Sequence, residues 1–470
     1  MVADTATYSF ADLLSNIVDN RGKTCPVAED GLPLIATNCV KNETLFPVFE
    51  KVRYVDQKTY ESWFRGHPEP GDMIFVTKGS PGNVCWTPDP VNFCIAQDMV
   101  AIRANQEIVD PRYLFALLRT PATQSRILNM HVGTLIPHFK KGDFKNLFFE
   151  IPTDKGLQRA IGEIYLSFCE KIELNRQMNA TLEAMAQALF KSWFIDFDPV
   201  IDNALATGNP IPEPLQVRAE ARKALGDQRK PPLTQMSREA GSRELPEAIQ
   251  KQFPSSFVFN EEMGWIPEGW EVQPLDAIVN LIGGGTPKTS VDEYWGGEIP
   301  WFSVVDAPNP SDVFVLNTEK TITQEGLENS SAKVLPKGTT IISARGTVGK
   351  CAVVARPMAM NQSCYAIRGK DNLPDYYTYY TILLRVSDLQ QRGHGSVFNT
   401  ITRDTFRSIK TCVGSPELLR LFDQTVSPYM DRIVNNIEQI SSLSQSRDAL
   451  LPKLLSGQVR IPDIEKLEAA

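Results

Sequence analysis

What the chain lacks narrows its chemistry first. Its eight cysteines (Cys25, Cys39, Cys85, Cys94, Cys169, Cys351, Cys364 and Cys412) form no Cys-x-x-Cys pair, and only four histidines accompany them. Zinc-ligand spacing is therefore missing, and reduced, mostly buried thiols are expected. No apolar run approaches the roughly 20 residues that a membrane span needs. Met1–Phe10 carries no basic-then-apolar targeting segment, so a cytoplasmic protein without a membrane partner is expected. Catalytic motifs are scarce as well. No Asn-Pro-Pro-aromatic or Asp-Pro-Pro-Tyr motif for amino methylation occurs, and Lys230-Pro-Pro232 lacks both ends of one. No Phe-x-Gly-x-Gly cofactor loop, Ser/His/Asp set or carboxylate cluster beside a lysine stands out. Gly346-Thr-Val-Gly349-Lys350 has the look of a phosphate loop, but Ala344 and Cys351 stand where a P-loop needs glycine and Ser/Thr. A non-catalytic chain is the expectation, with no metal site and no cofactor of its own.

Positive charge is also in short supply overall. The formal net charge is −8 and the isoelectric point is near 5.3. That weighs against a uniformly basic nucleic-acid binder, because neutralising phosphates takes cations. It leaves room for an acidic back and a basic concave face, since the distribution of charge matters more than its sum. With 470 residues, 42% of them hydrophobic, the chain is of ordinary globular composition and long enough for about three domains.

What is present is a repeat. Gly71-Asp-Met-Ile-Phe-Val-Thr-Lys-Gly-Ser-Pro-Gly82 matches Gly338-Thr-Thr-Ile-Ile-Ser-Ala-Arg-Gly-Thr-Val-Gly349. In both, an apolar strand runs into a basic residue, Lys78 or Arg345, and then Gly-x-x-Gly. Ala96-Gln97-Asp98 matches Asn361-Gln362-Ser363, and each precedes a strand ending Ile-Arg, at Ile102-Arg103 and Ile367-Arg368. Tyr113–Leu118 matches Thr378–Leu383, Gly133–Ile136 matches Gly395–Phe398, and Phe144 matches Phe406. Six matches in one order, about 260 residues apart, mark an internal duplication. Each half reads as an α+β domain of short strands punctuated by Gly, Pro and Asn. The expected division is 1–153 and 263–414 for the two domains, with a proline- and charge-rich connector at 198–262. Within that connector a short helix is expected at Gln216–Leu225.

A helical segment follows each half, at 154–197 and 415–456, leaving 457–470 as a tail. In the first, Ile161, Tyr165, Phe168, Ile172, Asn175, Asn179, Leu182, Ala186 and Leu189 recur at spacings of three and four. Phe422, Val426, Tyr429, Ile433, Asn436, Ile440, Leu443, Arg447 and Leu450 do the same in the second, at a constant offset of 261. Alone, either stripe is more often a face of an ordinary bundle than a coiled-coil seam. Together, two seams of equal length can bury each other as an antiparallel coiled coil related by a pseudo-two-fold axis. Asn175 and Asn436 then sit at equivalent places, either as register-fixing polar residues on the seam or at its solvent edge. Some 30 residues of helix span about 45 Å, comparable to one turn of B-DNA at roughly 34 Å. The pair is thus expected to act as a ruler.

Several stretches carry a resemblance to a known family. They are Leu174-Asn-Arg-Gln-Met-Asn-Ala-Thr-Leu182, Ala188-Leu-Phe-Lys-Ser-Trp-Phe-Ile-Asp-Phe197 and Ile266-Pro-Glu-Gly-Trp270. With them go Gly284-Gly-Thr-Pro-Lys288, Gly297-Glu-Ile-Pro-Trp-Phe302, Ser343–Gly349 and Leu450-Leu-Pro-Lys-Leu-Leu-Ser-Gly457. On these the chain resembles the specificity subunit of type I restriction–modification enzymes. The N-terminal half departs more, lacking the Gly-Thr-Pro opening and carrying Lys78-Gly-Ser-Pro-Gly82 in place of Arg345-Gly-Thr-Val-Gly349. The resemblance implies two target-recognition domains, each reading one half of a bipartite, asymmetric double-stranded DNA target. It also implies two methyltransferase subunits docked by the helices, with a restriction or motor subunit able to join. S-adenosylmethionine, ATP and magnesium would then act on the partners and not on this chain. Two other readings stay open from sequence: a decoy or interaction protein of similar build, and a self-sufficient DNA-modifying enzyme, which the missing methylation motifs disfavour.

Candidate DNA contacts follow from residue type and place. Arg345, Gly346, Thr347 and Lys350 form a Gly-rich turn with cations, a hydroxyl and free backbone N–H groups, suited to a phosphate or else a simple tight turn. Lys78, Gly79 and Ser80 are its counterpart, and Thr286 with Lys288 offers a further pair. The segments Gly133–Lys141 and Gly393–Arg403 bring Thr134, His138, Lys140, Lys141, His394, Ser396, Asn399 and Arg403, side chains able to bond base edges. Taken singly, each cation is more often a solvated surface charge. Gln97 and Gln362 are expected to be structural, bonded to backbone inside their domains.

Overall fold

The computed structural model describes residues 4–20, 23–130, 137–227, 246–345, 347–393 and 400–459. The chain divides into two compact units, one of Met1–Asn175 with Glu438–Ala470 and the other of Arg176–Ile437.

In the first unit the repeat's apolar strand, Met73–Val76, lies inside a four-stranded antiparallel sheet. The order is Leu14–Val18, Met99–Ala104, Met73–Val76, Val84–Trp86. Side chains alternate across a strand, and here both faces are covered. Met73 and Phe75 enter a core with Phe10, Tyr113, Phe139 and Phe144, while Ile74 and Val76 join Ile35, Ile95 and Met99. This double burial is why the run reads as continuously hydrophobic. A smaller sheet pairs Leu32–Ile35 antiparallel with Arg53–Val55 and parallel with Cys94–Ile95. Thr5–Ser9 pairs with Phe148–Pro152 and ties the start of the domain to its end.

The second unit repeats the plan. Its sheet runs Val279–Gly283, Cys364–Gly369, Thr340–Ser343, Cys351–Val354, Phe314–Val315. Ile341 and Ile342 again point into separate cores. A three-stranded sheet places Trp295–Phe302 between Thr321–Ile322 and Ala359–Met360. Glu271–Pro274 closes on Lys410–Val413, the counterpart of the first unit's terminal pair.

The two long helices are Lys155–Phe194 and Pro416–Leu455, each of 40 residues, so each is about 60 Å long rather than 45. Within the first unit Tyr165 and Cys169 meet Arg447, and Asn175 donates to Gln439 at 3.2 Å. Within the second, Asn436 donates to Asn179 at 2.8 Å and Phe190 meets Phe422 with ring centroids 5.4 Å apart. In both units one number rises as the other falls, so the segments run antiparallel.

The connector expectation needs correction. Asp198–Thr207 is a helix with Val200, Ile201 and Ala204 fully buried, and Val200 belongs to the core that holds Trp193 and Phe253. Proline and charge in this stretch start and pin the helix rather than loosen it. Pro199 occupies its first turn, and Asp198 receives two bonds from Arg218, at 2.7 and 2.8 Å, and one from Ser192. Burial alone would raise the Asp198 pKa, but those bonds outweigh it and hold the carboxyl below its usual value. The expected short helix is present as Gln216–Asp227. Residues 228–245 lie outside the described residues.

Candidate nucleic-acid interface

Strand register brings the repeated loops to one end of each central sheet. In the second unit Gly283 stands opposite Tyr365, Ser343 opposite Cys364, and Ile342 opposite Cys351. The loops that follow or precede these residues are therefore neighbours: 284–288, 344–350 and 361–363. Segment 400–403 joins them, as Arg345 forms a bridge with Thr400 and Ile401 N–H donates to Ala344 at 3.0 Å. In the first unit Val18 faces Ala101, Val76 faces Met99, and Phe75 faces Val84. Lys78 forms the matching bridge with His138, and Gly79 N–H donates to Pro137 at 3.0 Å.

The Gly-rich turns share a backbone closure, Gly82 N–H donating to the Val76 carbonyl at 3.0 Å and Gly349 N–H to the Ser343 carbonyl at 2.9 Å, and the second adds a side-chain hydroxyl where the first has Val76. The hydroxyl of Ser343 bonds the Thr347 carbonyl and accepts from Lys350 N–H at 2.9 Å. Gly82 and Gly349 hold φ of +96° and +94°, a region that side chains with a Cβ rarely enter. The turns therefore present Arg345, Thr347 and Lys350 outward, and Gly79 and Ser80 likewise, all exposed, with Lys78 half-buried. Lys288 and Lys140 are exposed, and His138 is half-buried. Among the described residues Lys78, Lys140, Lys288, Arg345 and Lys350 make no ion pair, which leaves five cations for an anionic ligand.

Other candidates are already engaged. Lys141 is ion-paired with Asp19 at 2.5 Å, and Arg403 donates to the Leu281 carbonyl at 3.1 Å, which anchors segment 400–403 to the sheet edge. The Thr286 hydroxyl donates to Gln362. Thr134, Gly346, His394, Ser396 and Asn399 lie outside the described residues.

Two glutamines behave otherwise than expected. Gln97 and Gln362 are exposed rather than built into their domains, because each follows a two-residue strand (Cys94–Ile95, Ala359–Met360) at the point where the chain leaves its sheet. The structural glutamines are a different pair. Gln124 donates to the Gly82 carbonyl at 2.8 Å, and Gln390 donates to the Val348 carbonyl at 2.8 Å. Each braces a Gly-rich turn from the helix beside it, Pro121–Met130 or Val386–Gly393. Their near-constant spacing from the second glycine of each turn was the available signal in the sequence.

Comparison with known proteins bears on this arrangement. Residues 33–184 and 267–418 match the type I restriction modification DNA specificity domain. The HindI specificity subunit of Haemophilus influenzae is 30% identical over 406 residues, covering 83% of this chain and 86% of that protein. The MjaIX specificity subunit of Methanocaldococcus jannaschii is 30% identical over 177 residues, covering 37% and 41%. In fold, the chain is similar to the type I restriction–modification S subunit from M. genitalium, with a TM-score of 0.51 at 16% identity over 96% of each chain.

Proposed function

The chain belongs to the type I restriction–modification DNA specificity family, and from that membership we propose that it reads a bipartite, asymmetric duplex, one half-site per repeat, for partner subunits that do the chemistry. In this reading it docks two methyltransferase subunits, and a restriction or motor subunit joins them. S-adenosylmethionine, ATP and magnesium act on those partners, and this chain supplies recognition alone.

The observation that carries the reading is the pair of matched sheet ends. Each unit ends its sheet in the same Gly-rich loop with cations that make no ion pair among the described residues, Lys78 in one and Arg345 with Lys350 in the other. Cations of this kind position a protein on phosphates without reading sequence. Between the matched turns the flanking side chains differ, as two unlike half-sites require. The test is to assemble the chain with its methyltransferase subunits and map the adenines they methylate on random duplex. Two short half-sites with a fixed spacer are expected. A contiguous site, or methylation indifferent to spacer length, would overturn the proposal, as would methylation by the chain alone.

A further inference from the structure

The N-terminal unit differs from its partner repeat at one place beside the Gly-rich turn. In the second unit this place is filled. The loop Gly284–Lys288 crosses it, the Thr286 hydroxyl bonds Gln362, and the Trp301 indole donates to Gly285 at 2.9 Å. Trp295 packs edge-on against Trp301 at 5.1 Å, and Lys320 lies over the Trp295 ring. The first unit's segment after Leu14–Val18 takes the matching course with different side chains: Asn20 donates to the Ile95 carbonyl at 3.2 Å and accepts from Arg65 N–H at 3.2 Å, and Thr24 and Cys25 follow. Strand register equates Arg53 with Lys320, since Pro33 pairs with Tyr54 as Pro300 pairs with Thr321. It likewise equates Gln97 with Gln362, because Leu34 and Ile35 pair with Cys94 and Ile95 as Trp301 and Phe302 pair with Ala359 and Met360. Where Thr286 and Trp295 engage their neighbours in the second unit, the first has a concavity of about 150 Å³ whose polar lining is Thr24, Cys25, Thr37, Arg53, Gln97 and Asp98.

That volume is well short of the roughly 300–1,000 Å³ of a small-molecule site. Its rim carries two planar, multidentate groups without a hydrogen-bond partner among the described residues, the guanidinium of Arg53 and the amide of Gln97, both exposed. Gly79 of the cation-bearing turn lies alongside, its Cβ position 3.9 Å from the Thr37 hydroxyl. A duplex whose phosphate meets the Lys78–Ser80 turn would lay a base edge over this hollow.

We infer that Arg53 and Gln97 are base-reading residues of the N-terminal unit, Arg53 for a guanine and Gln97 for an adenine of its half-site. The inference rests on the recognition function proposed above. An arginine fork matches guanine O6 and N7, and a glutamine amide matches adenine N6 and N7. Gln362 and Lys320, tied up by Thr286 and Trp295, do not read bases in the second unit. The two repeats thus diverge in sequence preference at one matched place, whose side chains are engaged in one unit and without a hydrogen-bond partner among the described residues in the other.

The experiment uses the full chain in complex with its methyltransferase subunits and a duplex library randomised at one position at a time. Arg53→Lys, which keeps the charge and removes the fork, should relax discrimination at one guanine by about 10- to 100-fold. Gln97→Ala should do the same at one adenine of that half-site, and Gln362→Ala should change nothing. The other half-site, read in the same assay, must keep its discrimination, which separates lost reading from lost folding. Unchanged discrimination at every position would overturn the inference, as would a uniform fall across all sequences, which marks a phosphate or structural role. A wild-type complex with no bipartite preference would instead overturn the recognition function on which the inference stands.

Discussion

Asp423 caps from the long helix a short helix whose counterpart in the other repeat caps itself. Its carboxylate accepts from the N–H groups of Tyr376 and Tyr377, both at 3.0 Å, and so caps helix Asp375–Leu384 from the second long helix. That helix begins after Pro374, which has no capping side chain. In the first unit the equivalent helix, Pro111–Leu118, is capped by its own Asp110. The long-helix position matching Asp423 is there Gly162, where a Cβ would lie 2.5 Å from Tyr113 N. Burial pushes the Asp423 carboxyl up to about 6, with the Asp375 charge adding to it and the two N–H bonds opposing. A carboxyl raised above its unfolded value contributes stability that is complete below about pH 4 and lost as pH rises through about 6. Asp423→Asn keeps an acceptor and removes the charge. It should gain about 2 kcal/mol over wild type at pH 7 and nothing at pH 4, as read from urea unfolding at the two pH values. Equal curves at both would show that the site does not raise the Asp423 pKa.

The long helices carry their burial at a different period from a simple heptad. The buried side chains of the first are Gln158, Ile161, Tyr165, Cys169, Ile172, Asn175, Asn179, Glu183, Ala186, Phe190, Trp193 and Phe194. Phe168, Leu182 and Leu189, expected on the seam, lie half-buried at its flank. Positions eleven apart, Ile161, Ile172, Glu183 and Phe194, are all buried, which fits 3.67 residues per turn better than 3.5. The second helix follows at the same offset of 261, with Met430 and Leu451 in place of the half-buried Tyr429 and Leu450. Asn175 and Asn436 are fully buried, each with an unpaired carboxamide oxygen, so they belong to the seam and not to its edge. Such a group costs stability and is retained where it fixes register. Phe190 packs against Phe194, Tyr377, Tyr380 and Phe422. Phe190→Ala should therefore cost about 3–5 kcal/mol, and Phe168→Ala clearly less, in chemical denaturation. The reverse order would place the seam back on the heptad.

For the molecule as a whole, an acidic total hides a local excess of cations at the two sheet ends. Recognition that leans on phosphate contacts releases counterions, so affinity should fall linearly in log–log terms as salt rises. Lys350 is exposed, and its side chain makes no contact that holds the turn. Lys350→Ala should lower the slope of log affinity against log salt by about 1 and weaken all sequences alike. Titration of labelled duplex by the assembled complex at several salt concentrations reads both quantities. A change in sequence preference with an unchanged slope would make Lys350 a base reader.

The sequence by itself determined the duplication, the α+β halves, the long helix after each and the matched turns at Lys78 and Arg345. All of these rest on local pattern: alternation, helical period and glycine spacing are set by neighbours in the chain. The tertiary structure alone decided which glutamines brace a turn and which face solvent. It also decided that Asp198–Thr207 enters a core, that Lys141 is spent on Asp19, and that Arg53 and Gln97 border a hollow while their counterparts Lys320 and Gln362 are engaged. Each of these depends on residues far apart in sequence meeting across a sheet end or a helix face, where packing and pairing override what composition suggests.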